Sequence, residues 1–307
     1  MKENILIVDD IDPVFIERAT KLGYNCDYKP LIKPEEALQI INNYTGLVIR
    51  SKFKVNKELI DLATKLRFIC RAGAGMDGVD VAYVKQKHIE LINAPEGNMD
   101  AVGEHAVGLL LALMNNFLIA DGEIRNGLWR REANRGYELK GKTVGIIGYG
   151  HMGKSFATKL LGFDVDVIAY DKYKTGFSDM YVTEVSMEQM VKKCDILSLH
   201  IPLSNETLDL VNEEYLFHFK KPIFLINTSR GKIVNTPAVL NAIKQGKVLG
   251  AGLDVLETEK FPALAEESWY EELRKSGKVI LTPHVAGWTF ESYRKISEVM
   301  ADKLSEL

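Results

Sequence analysis

The chain has 307 residues, 46% of them hydrophobic and 26% charged, with a net charge of −3 and a pI near 6.1. This is the composition of a soluble globular protein, long enough for two domains with separate cores. It lacks the basic footprint of a nucleic-acid binder, so any anionic ligand must be met by local cations.

The start, "MKENILIVDD", carries acids where a secretory leader would carry bases, so no leader is expected. "NILIV" (4–8) reads as a strand, and the paired Asp9 and Asp10 behind it invite comparison with phosphoacceptor domains. Such a domain needs another acid at the end of its third strand, whereas "GLVIR" (46–50) ends in Arg50. Asp9 and Asp10 are therefore expected to be solvated at a strand end. "RFIC" (67–70) and "IELIN" (89–93) are the next strands, with helical patterns over 13–22, 34–42 and 57–66. Cys26, Cys70 and Cys194 are isolated, with no CxxC, and imply free thiols in a reducing cytosol and no metal site.

The longest apolar stretch, "AVGLLLALM", stops at Asn115-Asn116, too short to cross a bilayer. It sits within 99–127, expected to be one long helix joining two domains. A second series of strands follows: "TVGIIG" (143–148), "DVIAYD" (166–171), "DILSLH" (195–200), "PIFLIN" (222–227), "GAGLDV" (250–255) and "VILTP" (279–283). Near-continuous apolar strands alternating with helices predict parallel sheets covered on both faces. The fold class is α/β with two doubly wound parallel-sheet domains. The amphipathic end, 291–307, is expected to return to the first domain, which would then comprise 1–98 plus 286–307 around an inserted 99–285, with a cleft between the two.

"TVGIIGYGHMGKSFATKLLGFDVDVIAYD" is the most informative segment. Gly148, Gly150 and Gly153 form GxGxxG between a strand and a helix, and Asp171 ends the next strand 18 residues after Gly153. The glycines suit a tight turn, a close approach of backbone to pyrophosphate, and helix–strand packing. The helix N-terminus favours negative charge, and an aspartate at that distance accepts ribose hydroxyls while repelling a 2′-phosphate. NAD is the expected cofactor. Three further groups fall at ends of later strands: Arg230 in "FLINTSRGKIV", a carboxylate among Asp254, Glu257 and Glu259 in "GLDVLETEKFP", and His284 in "LTPHVAGWT". A hydride transfer needs a cation to fix an anionic substrate, a base for the hydroxyl proton and an orienter for that base.

With these segments in place, the chain resembles the D-isomer-specific 2-hydroxyacid dehydrogenase family over nearly its whole length. The matching stretches are "GLVIRSKFKV", "RAGAGMDGVDV", "NAPEGN", the GYGHMG loop, "SLHIPLSNET", "NTSRGKIVN", "GLDVLETE" and "TPHVAGWT". The resemblance implies a Rossmann-type NAD-binding domain inserted into a flavodoxin-like substrate domain. It implies Arg230, Glu259 and His284 as the catalytic residues, with Glu259 five residues beyond Asp254. For the cofactor it implies Ala74, Gly148, Gly150, His151, Met152, Gly153, Asp171, His200, Ile201, Pro202, Thr207, Thr228, Ser229, Arg230, Asp254, His284 and Gly287. For the substrate it implies Arg50, Ser51, Arg71, Gly73, Ala74, Gly75, Arg131 and Arg230. This sequence departs from the family in placing Lys260 and Phe261 before Pro262, in Trp288 where a small residue is common, and in Asn235 where an acid is frequent.

Within the family the first-domain segments most resemble D-3-phosphoglycerate dehydrogenases, with Arg50, Arg71 and Arg131 at the positions of phosphate-site arginines. That implies oxidation of D-3-phosphoglycerate in serine biosynthesis, by a cytoplasmic homodimer without the regulatory domain of longer relatives. The alternatives are a hydroxypyruvate or glyoxylate reductase and a non-enzymatic dinucleotide-sensing corepressor of the same fold. No nucleic-acid or membrane partner is expected.

Overall fold

The computed structural model describes residues 3–307. By internal contacts the chain divides into two units. One contains the described residues up to Met99 together with Trp288–Leu307, the other Asp100–Gly287.

The first unit is built on five parallel strands: β1 (Asn4–Ile7), β2 (Asn25–Tyr28), β3 (Gly46–Ile49), β4 (Phe68–Arg71) and β5 (Glu90–Asn93). Their spatial order is β2-β1-β3-β4-β5, the flavodoxin-like winding, with its switch point between β1 and β3. β1 and β3 are apolar and almost wholly buried because both faces are covered by helices. The helix Phe290–Leu304 supplies Ile296, Met300, Ala301 and Leu304 to the core around Ile5, Ile7 and Phe15. It passes so close to Gly97 that a Cβ there would lie 2.6 Å from the Ile296 Cα.

β2 escapes the sequence reading because it is an edge strand of mixed composition, half exposed along its length. Asp9 corrects the expectation of a solvated strand end. It is only 6% exposed, and its Oδ2 accepts N–H bonds from Arg50 (2.6 Å), Ser51 (2.9 Å) and Lys52 (3.2 Å). Asp10 accepts a 2.7 Å bond from the Tyr28 hydroxyl. The buried carboxylate thus satisfies the donors with which the chain leaves β3.

The second unit carries seven parallel strands: β6 (Thr143–Ile147), β7 (Asp166–Tyr170), β8 (Thr183–Glu184), β9 (Ile196–Leu199), β10 (Ile223–Asn227), β11 (Val248–Leu253) and β12 (Val279–Leu281). The order β12-β11-β10-β9-β6-β7-β8 is a doubly wound sheet whose direction of growth reverses between β6 and β9. β8, two residues at an edge, carries too little apolar pattern to announce itself. The expected single helix over 99–127 is instead two, Pro95–Met114 and Phe117–Arg125, meeting at 59°. Asn116 makes the break by adopting φ +54, a left-handed conformation that asparagine tolerates better than most residues. Leu109, Leu110, Leu113 and Met114 are buried in the second unit's core, and no single helix among the described residues is long and apolar enough to cross a membrane.

Asp9→Ala strands three backbone donors at the β3 exit, and we expect it to cost about 2–4 kcal/mol. Urea denaturation followed by circular dichroism measures this; a loss below about 0.5 kcal/mol would show that water replaces the carboxylate.

Candidate active site

The glycine loop leaves β6 at the switch point of the second unit's sheet. Gly148 has φ +90, and a Cβ there would fall 2.5 Å from the His200 carbonyl oxygen. A Cβ at Gly153 would fall 2.1 Å from the Gly148 carbonyl oxygen, so only glycine lets the helix His151–Lys159 lie this close to the strand. Gly150 faces open space and caps that helix without a side-chain acceptor, leaving the first-turn N–H groups available to an anion. Open backbone at the second glycine and tight packing at the first and third are what a dinucleotide pyrophosphate requires, so these residues fit the group. His151 is exposed and Met152 half-buried in the first turn.

Asp171 follows β7. Its Oδ2 accepts from the Tyr149 N–H and its Oδ1 from the Tyr173 N–H, each at 2.9 Å, which fixes the carboxylate beside the glycine loop. Tyr149 itself is anchored by its hydroxyl to Asp179 (3.0 and 3.1 Å) and by stacking on Phe177. Beyond β9, His200 bonds Ser198 Oγ through Nε2 at 2.8 Å, while its Nδ1 is sealed from solvent without a partner. Although part of the residue reaches the surface, enclosure of the ring pushes its pKa down to about 3, so it is neutral at working pH. Ile201 and Pro202 open the following turn, which Thr207 closes by accepting from the Ser204 N–H (2.8 Å) and donating to the Pro202 carbonyl (2.7 Å).

Asn227, at the end of β10, is a positioning residue that the sequence reading left inside a strand. It is fully buried, and its Oδ1 accepts from Ser229 N (3.0 Å) and Ser229 Oγ (2.7 Å) while its Nδ2 donates to the Arg230 carbonyl (2.9 Å). The signal was present only as a polar residue ending an apolar strand. The Thr228 Oγ1 is buried without a partner, and Arg230 Nη1 donates to the Ser229 carbonyl at 2.6 Å. The Arg230 side chain is half-buried at the end of β10.

Asp254, expected to face the cofactor, is 1% exposed and spends its carboxylate on the turn after β12. It accepts from Thr282 Oγ1 (2.6 Å), Val285 N (2.9 Å) and Ala286 N (2.9 Å), and its own carbonyl accepts from His284 N (2.7 Å). His105, from the helix Pro95–Met114, braces the same group with Nε2 3.0 Å from Thr282 Oγ1 and 3.6 Å from Asp254 Oδ1. His284 is held at φ +55, costly for a side chain of this size, and projects an exposed imidazole whose Nδ1 lies 3.0 Å from Glu259 Oε2. Glu257 is engaged elsewhere, accepting from the Thr236 N–H at 2.8 Å. Glu259 is therefore the carboxylate that meets the histidine. Gly287, half-buried, ends the unit.

The remaining expected substrate residues fall at the carboxyl edge of the first unit's sheet, apart from Arg131, which lies in an exposed turn of the second. Arg50 lays its guanidinium 4.3 Å above the Trp288 ring, which in turn meets Tyr293 edge-on at 5.6 Å. Ser51 is held through its N–H by Asp9. Arg71 packs against Gly73, where a Cβ would lie 2.0 Å from its Nη1. The loop through Ala74 and Gly75 is pinned by Asn93 Nδ2 donating to the Ala74 carbonyl at 2.9 Å. Among the described residues no group of three or more His, Cys, Asp or Glu is placed to hold a metal.

Residues 107–286 match the sequence model described as "D-isomer specific 2-hydroxyacid dehydrogenase, NAD binding domain". A hydroxypyruvate reductase from Thermotoga maritima is 34% identical, with 89% of this chain and 88% of that protein covered. A D-3-phosphoglycerate dehydrogenase from Archaeoglobus fulgidus is 32% identical over 98% of this chain, which spans only 56% of the relative's length. Among solved structures, a D-lactate dehydrogenase from Aquifex aeolicus, complexed with NAD and lactic acid, superposes with a TM-score of 0.83 at 25% identity, covering 98% of this chain and 94% of that one.

The two glutamates give opposite expectations. Glu259→Gln is expected to lower kcat/KM for hydroxy-acid oxidation by roughly tenfold to a hundredfold, because an amide no longer stabilises the imidazolium. Glu257→Gln keeps a carbonyl oxygen for the Thr236 N–H and is expected to stay within about twofold. Steady-state kinetics of both variants decides the assignment, and the reverse pattern would transfer the role to Glu257.

Proposed function

The chain belongs to the D-isomer specific 2-hydroxyacid dehydrogenase family, and from that premise we propose that its substrate is D-3-phosphoglycerate, oxidised to 3-phosphohydroxypyruvate or formed in the reverse direction. The coarser activity is that of the family: an NAD-dependent dehydrogenase acting on a small 2-hydroxy or 2-keto acid. The bound dinucleotide supplies the hydride acceptor or donor. The chain's own residues do the rest. Arg230 clamps the substrate carboxylate with a planar pair of donors. With Nδ1 committed to Glu259, His284 presents Nε2 to the reacting oxygen, taking the hydroxyl proton in oxidation and returning it in reduction. Asp254 and His105 hold the turn that aims the imidazole. Asp171 beside the glycine loop favours NAD over NADP.

The observation that carries the phosphorylated substrate is Arg50. Its guanidinium lies 4.3 Å from the centre of the Trp288 ring and has no carboxylate partner among the described residues, leaving its N–H groups for a second anionic group. The rival reading, a hydroxypyruvate reductase, is favoured by the Thermotoga relative, matched along 88% of its length. A corepressor would bind the dinucleotide without turnover.

The proposal includes a homodimer and a cytoplasmic setting. Phe117, Leu118, Ile124 and Trp129 are more than half exposed within one short segment, and such a cluster of apolar side chains marks an interaction surface. Cys26, Cys70 and Cys194 are free thiols, in keeping with a reducing compartment. Light scattering at micromolar concentration is expected to give twice the chain mass, and a monomer would refute the dimer.

A panel of 3-phosphoglycerate, D-glycerate, D-lactate and glycolate with NAD tests the substrate. We expect kcat/KM for 3-phosphoglycerate to exceed that for D-glycerate by about a hundredfold or more, the worth of a charge-assisted phosphate contact. Equal values would favour the reductase, and no turnover on any member would favour the corepressor.

A further inference from the structure

We infer that Glu206 is a second determinant of the preference for NAD over NADP, acting by holding Lys172 away from a 2′-phosphate. The inference rests on the reading of Asp171 as the ribose site. Basic residues crowd that site: Lys172 directly follows Asp171, Lys174 comes after Tyr173, and Lys154 lies in the first turns of the helix behind the glycine loop. By charge alone this neighbourhood would welcome a 2′-phosphate, which dinucleotide-binding folds accept when a free cation stands near the ribose. The structure engages all three lysines. Lys154 Nζ lies 3.3 Å from Asp179 Oδ2, and Lys174 Nζ donates to the Tyr149 carbonyl at 2.9 Å. Lys172 Nζ lies 2.8 Å from Glu206 Oε2, and the same oxygen accepts the Tyr173 hydroxyl at 2.5 Å.

Glu206 reaches Lys172 from an unusual direction. It belongs to the turn after β9, whereas Lys172 follows β7, and these strands flank β6 on opposite sides. The pair therefore spans the strand that carries the glycine loop. The turn is set in advance by Thr207, through Ser204 and Pro202, and the Glu206 N–H is 3.3 Å from Ser204 Oγ. Lys172 and then Tyr173 hold the Glu206 carboxyl below its ordinary range, and Glu206 raises the Lys172 ammonium above its own, so both stay charged at neutral pH. Lys154 meets a carboxylate in the segment that itself follows β7 and Lys174 a backbone carbonyl, whereas Lys172 is held by a carboxylate from the turn after β9, on the far side of the strand that carries the glycine loop. Neutralising Glu206 releases a cation next to Asp171 and removes a negative charge that repels phosphate.

The test uses the whole chain without turnover, by calorimetric titration with 5′-AMP and 2′,5′-ADP. Wild type is expected to bind 5′-AMP more tightly. Glu206→Gln is expected to narrow that gap by about threefold to tenfold, mainly by tightening 2′,5′-ADP, and to lose the gain at high salt. Adding Lys172→Ala should restore the wild-type gap. An unchanged gap in Glu206→Gln, or a narrowing that survives Lys172→Ala, overturns the inference and leaves the Asp171 reading intact. A wild type that binds both fragments equally overturns the Asp171 reading itself, and the inference falls with it. Unchanged thermal midpoints, expected for exposed side chains, confirm that each comparison is between folded proteins.

Discussion

Where a parallel strand ends, the chain leaves with N–H groups that no neighbouring strand can accept, and something must take them. In both units a short acidic or amide side chain does so from the end of an adjacent strand. Asp9 after β1 takes three N–H groups from the chain leaving β3, Asp171 after β7 takes Tyr149 after β6, and Asp254 after β11 takes Val285 and Ala286 after β12. Asn227 does the same within its own turn. The carboxyl edge of an open α/β sheet is also where ligands bind, so the side chains that satisfy the backbone set the shape of the site.

The balance of energies is clearest at Asp254. Holding His284 at φ +55 costs about 1–2 kcal/mol. Hydrogen bonds to a charged group contribute about 1.5–3 kcal/mol each, and the buried carboxylate makes three. The strain is therefore offset severalfold, and the imidazole is aimed by a group that does not touch it. Glu259, 3.0 Å from Nδ1, then has only the tautomer and orientation of the ring to fix. At His200 the opposite device operates: an enclosed ring with no carboxylate beside it stays neutral and serves as packing against Phe156.

Much of this was legible in the sequence. GxGxxG with Asp171, and the strand ends carrying Arg230, His284 and a carboxylate among Asp254, Glu257 and Glu259, announce themselves by local pattern, since each depends on residues close in the chain. What the sequence hides depends on distance. Asp9 reads as a solvated acid because its partners lie more than forty residues away. His105 raises no expectation in the sequence because its partners, Thr282 and Asp254, lie far along the chain. Glu257 and Glu259 are indistinguishable by type, and what separates them is spatial: the Thr236 N–H claims Glu257, and His284 Nδ1 meets Glu259. β2 and β8 pair on one side only, so neither needs the apolar run that marks a buried strand.

The helix Phe290–Leu304 gives the molecule an order of assembly. Ile5, Ile7 and Phe15 leave the ribosome long before Ile296, Met300, Ala301 and Leu304, which complete their core. The whole of Asp100–Gly287 is synthesised in between, and its sheet is encoded within that span. The second unit has what it needs to fold during translation, while the first waits with an open apolar face until Phe290–Leu304 has been made. Nascent chains stalled before Phe290 should therefore bind chaperones through the face of Ile5, Ile7 and Phe15, and the helix Phe290–Leu304 acts as a keystone set in place after the arch around it has been raised.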